Sequence, residues 1–180
     1  MENDSAYKEN EYLGRPDLDL SESKKRAVHW FSIRDYSELE LQKRLAKVTN
    51  PEVAAETLAW CHQQKLIKAP EAMTELIIEK LTRQKKGIEQ INYELNKRGL
   101  SEITADPDAE LEKAIVLMSK KLMQTLRTQP WSSLTNPDKQ KTKAKVFRFL
   151  ATRGFTSEII NSSFEKWLQT NKDTDDDEFD

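Results

Sequence analysis

The chain has 180 residues with 37% hydrophobic and 33% charged residues, so its apolar residues suffice only for thin stripes on helices. Four Gly and six Pro exclude collagen-like chains and most all-β folds, which need frequent turn residues. The single cysteine, Cys61, excludes an internal disulfide and a cysteine-based zinc site. No apolar run suffices to span a membrane, and the acidic N-terminus lacks the order of a secretory signal, so we expect a cytoplasmic protein.

The charge is unevenly distributed along the chain. Residues 1–23 and 171–180 each carry a net charge of −5, whereas residues 24–170 hold 26 basic and 18 acidic residues, a net charge of +8. A positive body favours an anionic partner, such as nucleic acid or a nucleoprotein. We predict disordered acidic tails at 1–23 and 171–180, the latter with the run Asp175-Asp176-Asp177-Glu178. The C-terminal tail either only keeps the protein soluble or competes with the anionic partner for the basic face.

The apolar spacing between residues 24 and 170 is helical almost throughout, and start and stop signals divide it into eight short helices. The predicted starts include the capping box Ser37–Glu40, the pairs Asn50-Pro51, Asp106-Pro107 and Asn136-Pro137, and the residues Pro70 and Thr156. The apolar faces are, in chain order, Ala27/Trp30/Phe31, Leu41/Leu45/Val48, Val53/Leu58/Cys61, Met73/Leu76/Ile77/Leu81, Ile88/Ile91/Leu95, Leu111/Ile115/Met118/Leu122, Val146/Phe147/Leu150 and Ile159/Ile160/Phe164/Trp167.

Three segments share one pattern, in which two apolar residues four apart are followed by a break and a new apolar helix. The pairs are Leu41/Leu45, Ile91/Leu95 and Val146/Leu150, and the new helices hold Val53, Ile103 and Ile159. A period near 50 residues fits three copies of a three-helix unit that share interfaces. We therefore predict an all-α fold, an elongated curved array of three tandem helix-turn-helix-like repeats at 24–68, 69–126 and 127–170.

Copies two and three end their central helices alike, with Arg98-Gly99-Leu100 and Arg153-Gly154-Phe155. The Gly takes the left-handed conformation, the apolar residue folds back onto the last turn, and the Arg complements the helix dipole. We therefore interpret both turns, and the helix break at Gly87, primarily as structural features. Whether Arg98 and Arg153 also contact a partner stays open.

We predict no catalytic residue, no metal site and no cofactor. His62 follows Cys61 directly, and adjacent helical residues point apart, so the two do not form a nucleophile–base pair. We read His29 as a half-buried packing residue and Cys61 as a small core residue. No Gly-rich phosphate loop is present. The acidic pairs Glu38/Glu40 and Asp106/Asp108 fit helix starts.

Two basic clusters remain, one in the second copy and one in the third. Lys141, Lys145 and Arg148 share one helical face. Either the clusters are simply solvated, or they form a binding face, which the net charge of the body favours. We predict a binding face made of Arg83, Lys85, Lys86, Lys97, Arg98, Lys141, Lys145, Arg148 and Arg153. The aromatics Trp30, Phe147, Phe149, Phe155 and Trp167 have core-like spacings and are read as packing residues.

The sequence resembles the RecX family, regulators of the RecA recombinase. The resemblance is carried by Tyr36-Ser37-Glu38-Leu39-Glu40-Leu41 with Leu45, by Gly87-Ile88, Ile91, Glu94-Leu95 and Lys97-Arg98-Gly99, and by Phe149-Leu150 with Arg153-Gly154-Phe155. Two places depart from the family pattern: residues 65–70, where a Gly and an Asp are usual, and Thr152, where a second Arg is common. The resemblance implies tandem three-helix units that bind along the RecA–DNA filament.

The resemblance also implies that the bound protein blocks filament extension and inhibits the ATPase, recombinase and co-protease activities of RecA. In this way it would modulate DNA repair and the SOS response. We expect a monomer without a membrane contact or a small-molecule substrate. One alternative is a direct DNA-binding protein built from helix-turn-helix-like units, whose affinity falls steeply with salt. Another is a helical scaffold that binds through apolar surface, whose binding persists at high salt.

Overall fold

The computed structural model describes residues 18–127 and 129–176, and within these ranges all regular structure is helical. The α-helices are α1 (Leu20–Ile33), α2 (Glu38–Leu45), α3 (Pro51–Gln63), α4 (Pro70–Arg83), α5 (Ile88–Lys97), α6 (Pro107–Thr125), α7 (Asn136–Ala151) and α8 (Ser157–Asp176), with a 3-10 turn at Trp131–Ser133. The predicted all-α fold is confirmed. None of the described helices combines the length and the apolar character that crossing a membrane requires.

The described residues divide into two compact units. The first contains the residues up to Leu76 together with Leu95–Ser101, and the second contains Ile77–Glu94 and the residues from Glu102 onward. In the first unit, α3 packs against both α1 and α2. Its core is built from Ala27, Trp30, Tyr36, Leu41, Leu45 and Cys61.

The helix starts of the first unit are those that the sequence predicts. Ser37 Oγ accepts the Glu40 N–H at 3.2 Å, and the Glu40 carboxylate accepts the Ser37 N–H at 3.1 Å, which completes the capping box. Asn50 Oδ1 accepts the Val53 N–H at 2.9 Å, with Pro51 in the first turn of α3. Both caps satisfy backbone donors that the first helical turn leaves without a partner.

The second unit has its main core where α6, α7 and α8 pack against one another. The buried residues are Ala114, Leu117, Met118, Leu122, Val146, Leu150, Phe155, Ile160 and Phe164. The predicted repeat pairs Leu41/Leu45, Ile91/Leu95 and Val146/Leu150 are all buried, each at 3% exposure or less. The recurring pair is therefore a core feature in all three copies.

Helices α5 and α7 end in the predicted glycine turns. Gly99 has φ 72° and Gly154 has φ 86°. The next N–H in each case donates back across the last turn, from Leu100 to the Leu95 carbonyl at 3.0 Å and from Phe155 to the Leu150 carbonyl at 3.3 Å. This double feature defines a Schellman motif, which satisfies carbonyl groups at the helix end.

Helices α3 and α4 end in the same motif without a glycine, which the sequence analysis did not predict. Lys65 and Lys85 occupy the left-handed position with φ 55° and 57°. The N–H groups of Leu66 and Lys86 donate to the carbonyls of Cys61 and Leu81, both at 3.0 Å. All four helices that close with this turn thus use one geometry with two residue types.

Three predictions about individual positions are wrong. Ile103 does not enter a new helix, because residues 101–106 have no regular structure and the Asn92 side chain holds the Ile103 N–H and carbonyl, both at 3.0 Å. His29 is exposed rather than half-buried, because it lies on the outer face of α1. The cap of α7 is Thr135, one residue before Asn136, and it accepts the Asp138 N–H.

The predicted tails are longer than the structure allows. Residues 20–23 belong to α1, and Ser23 is fully buried in its packing face. Helix α8 continues to Asp176, so residues 171–176 are helical. The remaining parts of both predicted tails, residues 1–17 and 177–180, lie outside the described residues.

Candidate anion-binding surface

The positive charge of the second unit is concentrated in one stretch of sequence. Residues 113–153, which run from the middle of α6 to just past the end of α7, contain ten basic residues and one acidic residue, Asp138. No other part of the sequence of this length has so few acidic residues. The net charge of +8 in the predicted body therefore has a definite location.

Four residues of α7 and its C-terminal turn follow one another at four-residue steps: Lys141, Lys145, Phe149 and Arg153. Residues four apart lie on the same side of a helix, at intervals of about 6 Å along its axis. Lys141 and Lys145 are exposed, whereas Phe149 and Arg153 are half-buried. The row is thus a line of cations with one aromatic ring between them.

Helix α6 lies along this row. Lys121 Nζ lies 5.1 Å from the centre of the Phe149 ring, and the Arg153 guanidinium carbon lies 4.6 Å from the same centre. Cation–π attraction at such distances holds both charges beside the ring. Thr125, one turn after Lys121, borders the N-terminal half of the row.

A groove continues the row toward the start of α7. It has a volume of about 370 Å³ and is lined by Thr125, Leu126, Gln129, Leu134, Asp138, Lys141, Thr142 and Lys145. We call the surface made of Lys121, Thr125, Lys141, Lys145, Phe149 and Arg153 the α6–α7 seam. An extended polyanion lying along the seam would meet successive cations, with hydroxyl and amide donors at the groove.

Asp138, the single acidic residue in this stretch, already has two partners. The Thr135 hydroxyl donates to Asp138 at 2.7 Å, and this hydrogen bond, together with the charge of Lys141, lowers the pKa of Asp138. Lys141 Nζ lies 3.6 Å from the Asp138 carboxylate. Among the described residues, no carboxylate lies within ion-pair distance of Lys145. Lys145 therefore offers an uncompensated charge at the centre of the seam.

The other predicted binding residues are not part of the seam. Arg148 is exposed on α7, and its Nε donates to the Ala144 carbonyl at 3.3 Å. Arg83 pairs with Glu79 at 2.7 Å on α4, and Lys85 and Lys86 follow in the turn after it. Lys97 and Arg98 belong to the first unit, whereas the seam belongs to the second. The predicted set is therefore distributed over both units. Lys141, Lys145 and Arg153 belong to the seam, and the turn that contains Lys86 reaches its end, because the N–H of the next residue, Gly87, donates to the Arg153 carbonyl at 2.8 Å.

Arg98 has a structural partner. Its side chain is 20% exposed and lies 3.5 Å from Glu40, which also receives two hydrogen bonds from Arg34, at 3.0 and 3.3 Å. Burial raises the pKa of Glu40, but the hydrogen bonds from Arg34 and Ser37 and the charge of Arg98 outweigh it and lower the pKa. These contacts favour the structural interpretation of Arg98.

The sequence analysis missed Lys121 and Thr125 and assigned Phe149 to packing alone. The signal that could have found the row was present, since the spacing 141, 145, 149 and 153 is a regular helical step. The opposing Lys121 could not be found in this way, because its position depends on how α6 packs against α7.

The described residues hold few other groups that could support chemistry. Among the residues that the structure describes, no three His, Cys, Asp or Glu side chains lie close enough together to hold a metal ion. Cys61 is fully buried, and burial raises the pKa of its thiol to about 11. His62 lies 3.1 Å from Glu38, beside a cleft of about 460 Å³ in the first unit.

Comparison with known proteins gives matches along most of the chain. Residues 108–163 match the family model described as "RecX, third three-helix domain". A curated protein from Herbaspirillum seropedicae named "Regulatory protein RecX" is 30% identical over 159 residues, which cover 87% of this chain and 96% of that protein. A protein of the same name from Cronobacter sakazakii is 29% identical over 160 residues, which cover 79% of this chain and 90% of that protein.

Solved structures give the same picture at the level of the fold. The crystal structure of RecX from Lactobacillus salivarius has a TM-score of 0.61 and 18% identity, and the match covers 82% of this chain and 96% of that one. A second crystal structure, of regulatory protein RecX, has a TM-score of 0.59 and 21% identity, with coverages of 81% and 73%. The match at 108–163 groups α6 with α7 and α8, as the shared core does, whereas the predicted repeat boundary falls at 126/127.

Proposed function

The chain belongs to the RecX family of regulatory proteins, and we propose that it is a non-enzymatic regulator that binds the RecA–DNA filament in the cytoplasm. By occupying the filament it blocks extension and inhibits the ATPase, recombinase and co-protease activities of RecA. The outcome is a limit on recombinational DNA repair and on the SOS response. The family relationship supports the choice of RecA as the partner.

The observation that carries the proposal is the α6–α7 seam. It lies within the stretch that matches the third three-helix domain, and it presents Lys121, Lys145 and Arg153 along one line. A filament of RecA on DNA is a long polyanion, and a line of cations on a helical surface complements it. We assign the seam to binding because its side chains are cations held beside one aromatic ring.

The test measures RecA-driven ATP hydrolysis and strand exchange with increasing amounts of this protein. The natural protein should inhibit both, and the charge-reversed double variant Lys121→Glu/Lys145→Glu should need at least tenfold more protein for the same inhibition, about 1.4 kcal/mol of lost binding. The matched control, Lys25→Glu/Lys47→Glu, changes the net charge equally on exposed residues of the first unit. An equal loss in both double variants, or no inhibition by the natural protein at stoichiometric excess, contradicts the proposal.

A second candidate function is direct binding to DNA, which the seam also supports because its cations do not depend on RecA. Phosphate contacts would then supply most of the affinity. Titration of the protein against a DNA duplex and a single strand, with and without RecA, separates the two functions. Tight, salt-sensitive binding that needs no RecA favours the second candidate, and binding that appears only with the filament favours the first.

A further inference from the structure

Part of the seam lies in the valley between two helices. Lys121 and Thr125 of α6 and Phe149 and Arg153 at the end of α7 are all half-buried. The Lys121 ammonium and the Arg153 guanidinium lie 5.1 and 4.6 Å from the centre of the Phe149 ring, so cations from both sides of the valley meet at one ring. A polyanion must therefore lie between the helices to contact these residues.

This shape suits a single strand of nucleic acid better than a duplex. Two packed helices with their side chains are about 20 Å wide, whereas the major groove of B-DNA is about 12 Å wide, so the pair cannot enter that groove. On the outside of a duplex each strand winds around the axis and curves away from a straight row of cations. A single strand can straighten and follow the row, which is about 18 Å long from Lys141 to Arg153.

The ring of Phe149 and the guanidinium of Arg153 are the groups in the seam that can recognise an unpaired base. Bases stack on aromatic rings and on guanidinium planes, and in a duplex the faces of the bases are covered by neighbouring base pairs. The cation–π contact between Phe149 and Arg153 holds the two flat groups together. A single strand can thus gain a base contact in addition to its phosphate contacts.

A second group of cations borders the Arg153 end of the seam. Residues 80–88, which include the turn between α4 and α5, contain four basic residues and no acidic residue. The Gly87 N–H donates to the Arg153 carbonyl at 2.8 Å, which places the preceding residue, Lys86, next to the seam. Lys85 is exposed and Lys86 is half-buried, and among the described residues neither has a carboxylate within ion-pair distance. The row of cations therefore continues onto this turn.

We propose that the α6–α7 seam and the α4–α5 turn together form a site for single-stranded DNA that discriminates against the duplex. The strand lies in the valley with its phosphates beside Lys141, Lys145 and Lys86. An unpaired base stacks against the pair of Phe149 and Arg153. This inference rests on the proposed function of the seam as the surface for the anionic partner, and it names the form of nucleic acid that the surface takes.

The first experiment compares two forms of one DNA sequence. Fluorescence anisotropy measures the binding of the full chain, without RecA, to a labelled oligonucleotide that is either single-stranded or annealed to its complement. We expect the single strand to bind about tenfold more tightly in dilute salt. Equal affinities, a preference for the duplex, or no binding to either form overturns the proposal. Inhibition of RecA without this preference leaves the proposed function standing, and the preference without inhibition contradicts only that function.

The second experiment tests the turn. In Lys85→Asn/Lys86→Gln two charges are removed, and asparagine tolerates the φ of 57° at position 85. In a plot of log binding constant against log salt concentration, the slope for the single strand should be shallower by about 0.7 for each phosphate contact removed. The control Lys25→Gln/Lys47→Gln should keep the natural slope. A natural slope in the turn variant, or an equal change in the control, overturns the role of the turn.

The third experiment tests the base contact with Phe149→Leu, which keeps an apolar side chain but removes the aromatic face. Affinity for the single strand should fall about five- to tenfold, whereas the salt slope and the affinity for the duplex should stay the same, because no phosphate contact is lost. A merely structural role of Phe149 would weaken binding to both forms of DNA alike. An equal loss for the two forms therefore overturns the base contact.

Discussion

Glu40 shows how one carboxylate can connect distant parts of a helical chain. It closes the capping box of α2 by accepting the Ser37 N–H, and it binds Arg34 through both carboxylate oxygens. Arg98, which follows α5 in sequence, lies 3.5 Å from the same carboxylate. A half-buried carboxylate with two guanidinium partners stays charged, because those partners outweigh the cost of its burial.

The lowered pKa of Glu40 makes part of the stability depend on pH. Because the folded protein favours the charged carboxylate, its contribution is present above the ordinary glutamate pKa and is lost as the pH falls through the lower, folded value. Glu40→Gln should therefore cost about 1–2 kcal/mol of unfolding free energy at pH 7 and less in acid. Urea unfolding at several pH values measures this cost.

Glu38→Gln is the matched control for this prediction, because the Glu38 side chain is 59% exposed and, within the described part of the chain, pairs only with His62. We expect it to cost less than about 0.5 kcal/mol at pH 7. An equal cost for the two variants, or a cost at Glu40 that does not diminish in acid, contradicts the role of the buried carboxylate.

The local part of this residue network is predictable from the sequence, and the distant part is not. The spacing of Ser37 and Glu40 is sufficient to predict the capping box, because both partners lie in one helical turn. The contact between Arg98 and Glu40 joins residues 58 positions apart, and it depends on how the turn after α5 packs. The same is true of Lys121 beside Phe149.

The start of α5 shows how elements of the second unit fit together. The N–H groups of Gly87 and Glu89 donate to the carbonyls of Arg153 and Gly154, at 2.8 and 3.0 Å. The Ile88 N–H donates to the carboxylate of Glu110, a 4% exposed residue of α6 that also pairs with Lys113. The first donors of α5 are thus satisfied by the turn after α7 and by α6, rather than by a cap of its own.

This close approach predicts unequal effects of alanine at two glycines that share a left-handed φ. A Cβ on Gly154 would lie 2.3 Å from the Gln90 backbone nitrogen, whereas a Cβ on Gly99 would meet mainly the side chain of Leu39, at 2.8 Å. Gly99→Ala should cost about 1–2 kcal/mol through its backbone conformation, and Gly154→Ala about 3 kcal/mol or more, because α5 must also move.

Denaturant unfolding of both variants measures these costs, with Gly99→Ala serving as the matched control for backbone conformation. Equal costs at the two glycines would contradict the conclusion that the start of α5 packs closely against the turn after α7. A larger cost at Gly99 would show that Leu39 yields less easily than the backbone at Gln90.

At the scale of helices, the sequence predicts what is local and repeated. The core pairs at Leu45, Leu95 and Leu150 follow from apolar spacing, and the glycine turns follow from the φ that only Gly adopts cheaply. The turns at Lys65 and Lys85 were missed because lysine is uncommon at a positive φ. Ile103 was misassigned because its backbone is held by the side chain of Asn92, which lies eleven positions away in the sequence.

At the scale of the whole chain, the location of charge matters more than its sum. The net charge is −2, which by itself would oppose binding to a polyanion. The ten basic residues between 113 and 153 nevertheless lie within one unit, and exposed charges are screened from those more than about 8 Å away at physiological salt. The seam can therefore attract an anion even though the acidic residues elsewhere make the net charge of the whole chain negative.

Two variants of equal net charge should separate these views in one measurement. Lys141→Gln/Lys145→Gln removes two seam charges, and Lys25→Gln/Lys47→Gln removes two exposed charges from the first unit. The measurement is the binding constant for single-stranded DNA, alone or within the RecA filament, at several salt concentrations. In a plot of log binding constant against log salt concentration, the slope of the seam variant should be shallower by about 0.7 for each phosphate contact removed. The control variant should keep the natural slope. If both variants lose slope equally, the total charge governs association and the seam has no special role.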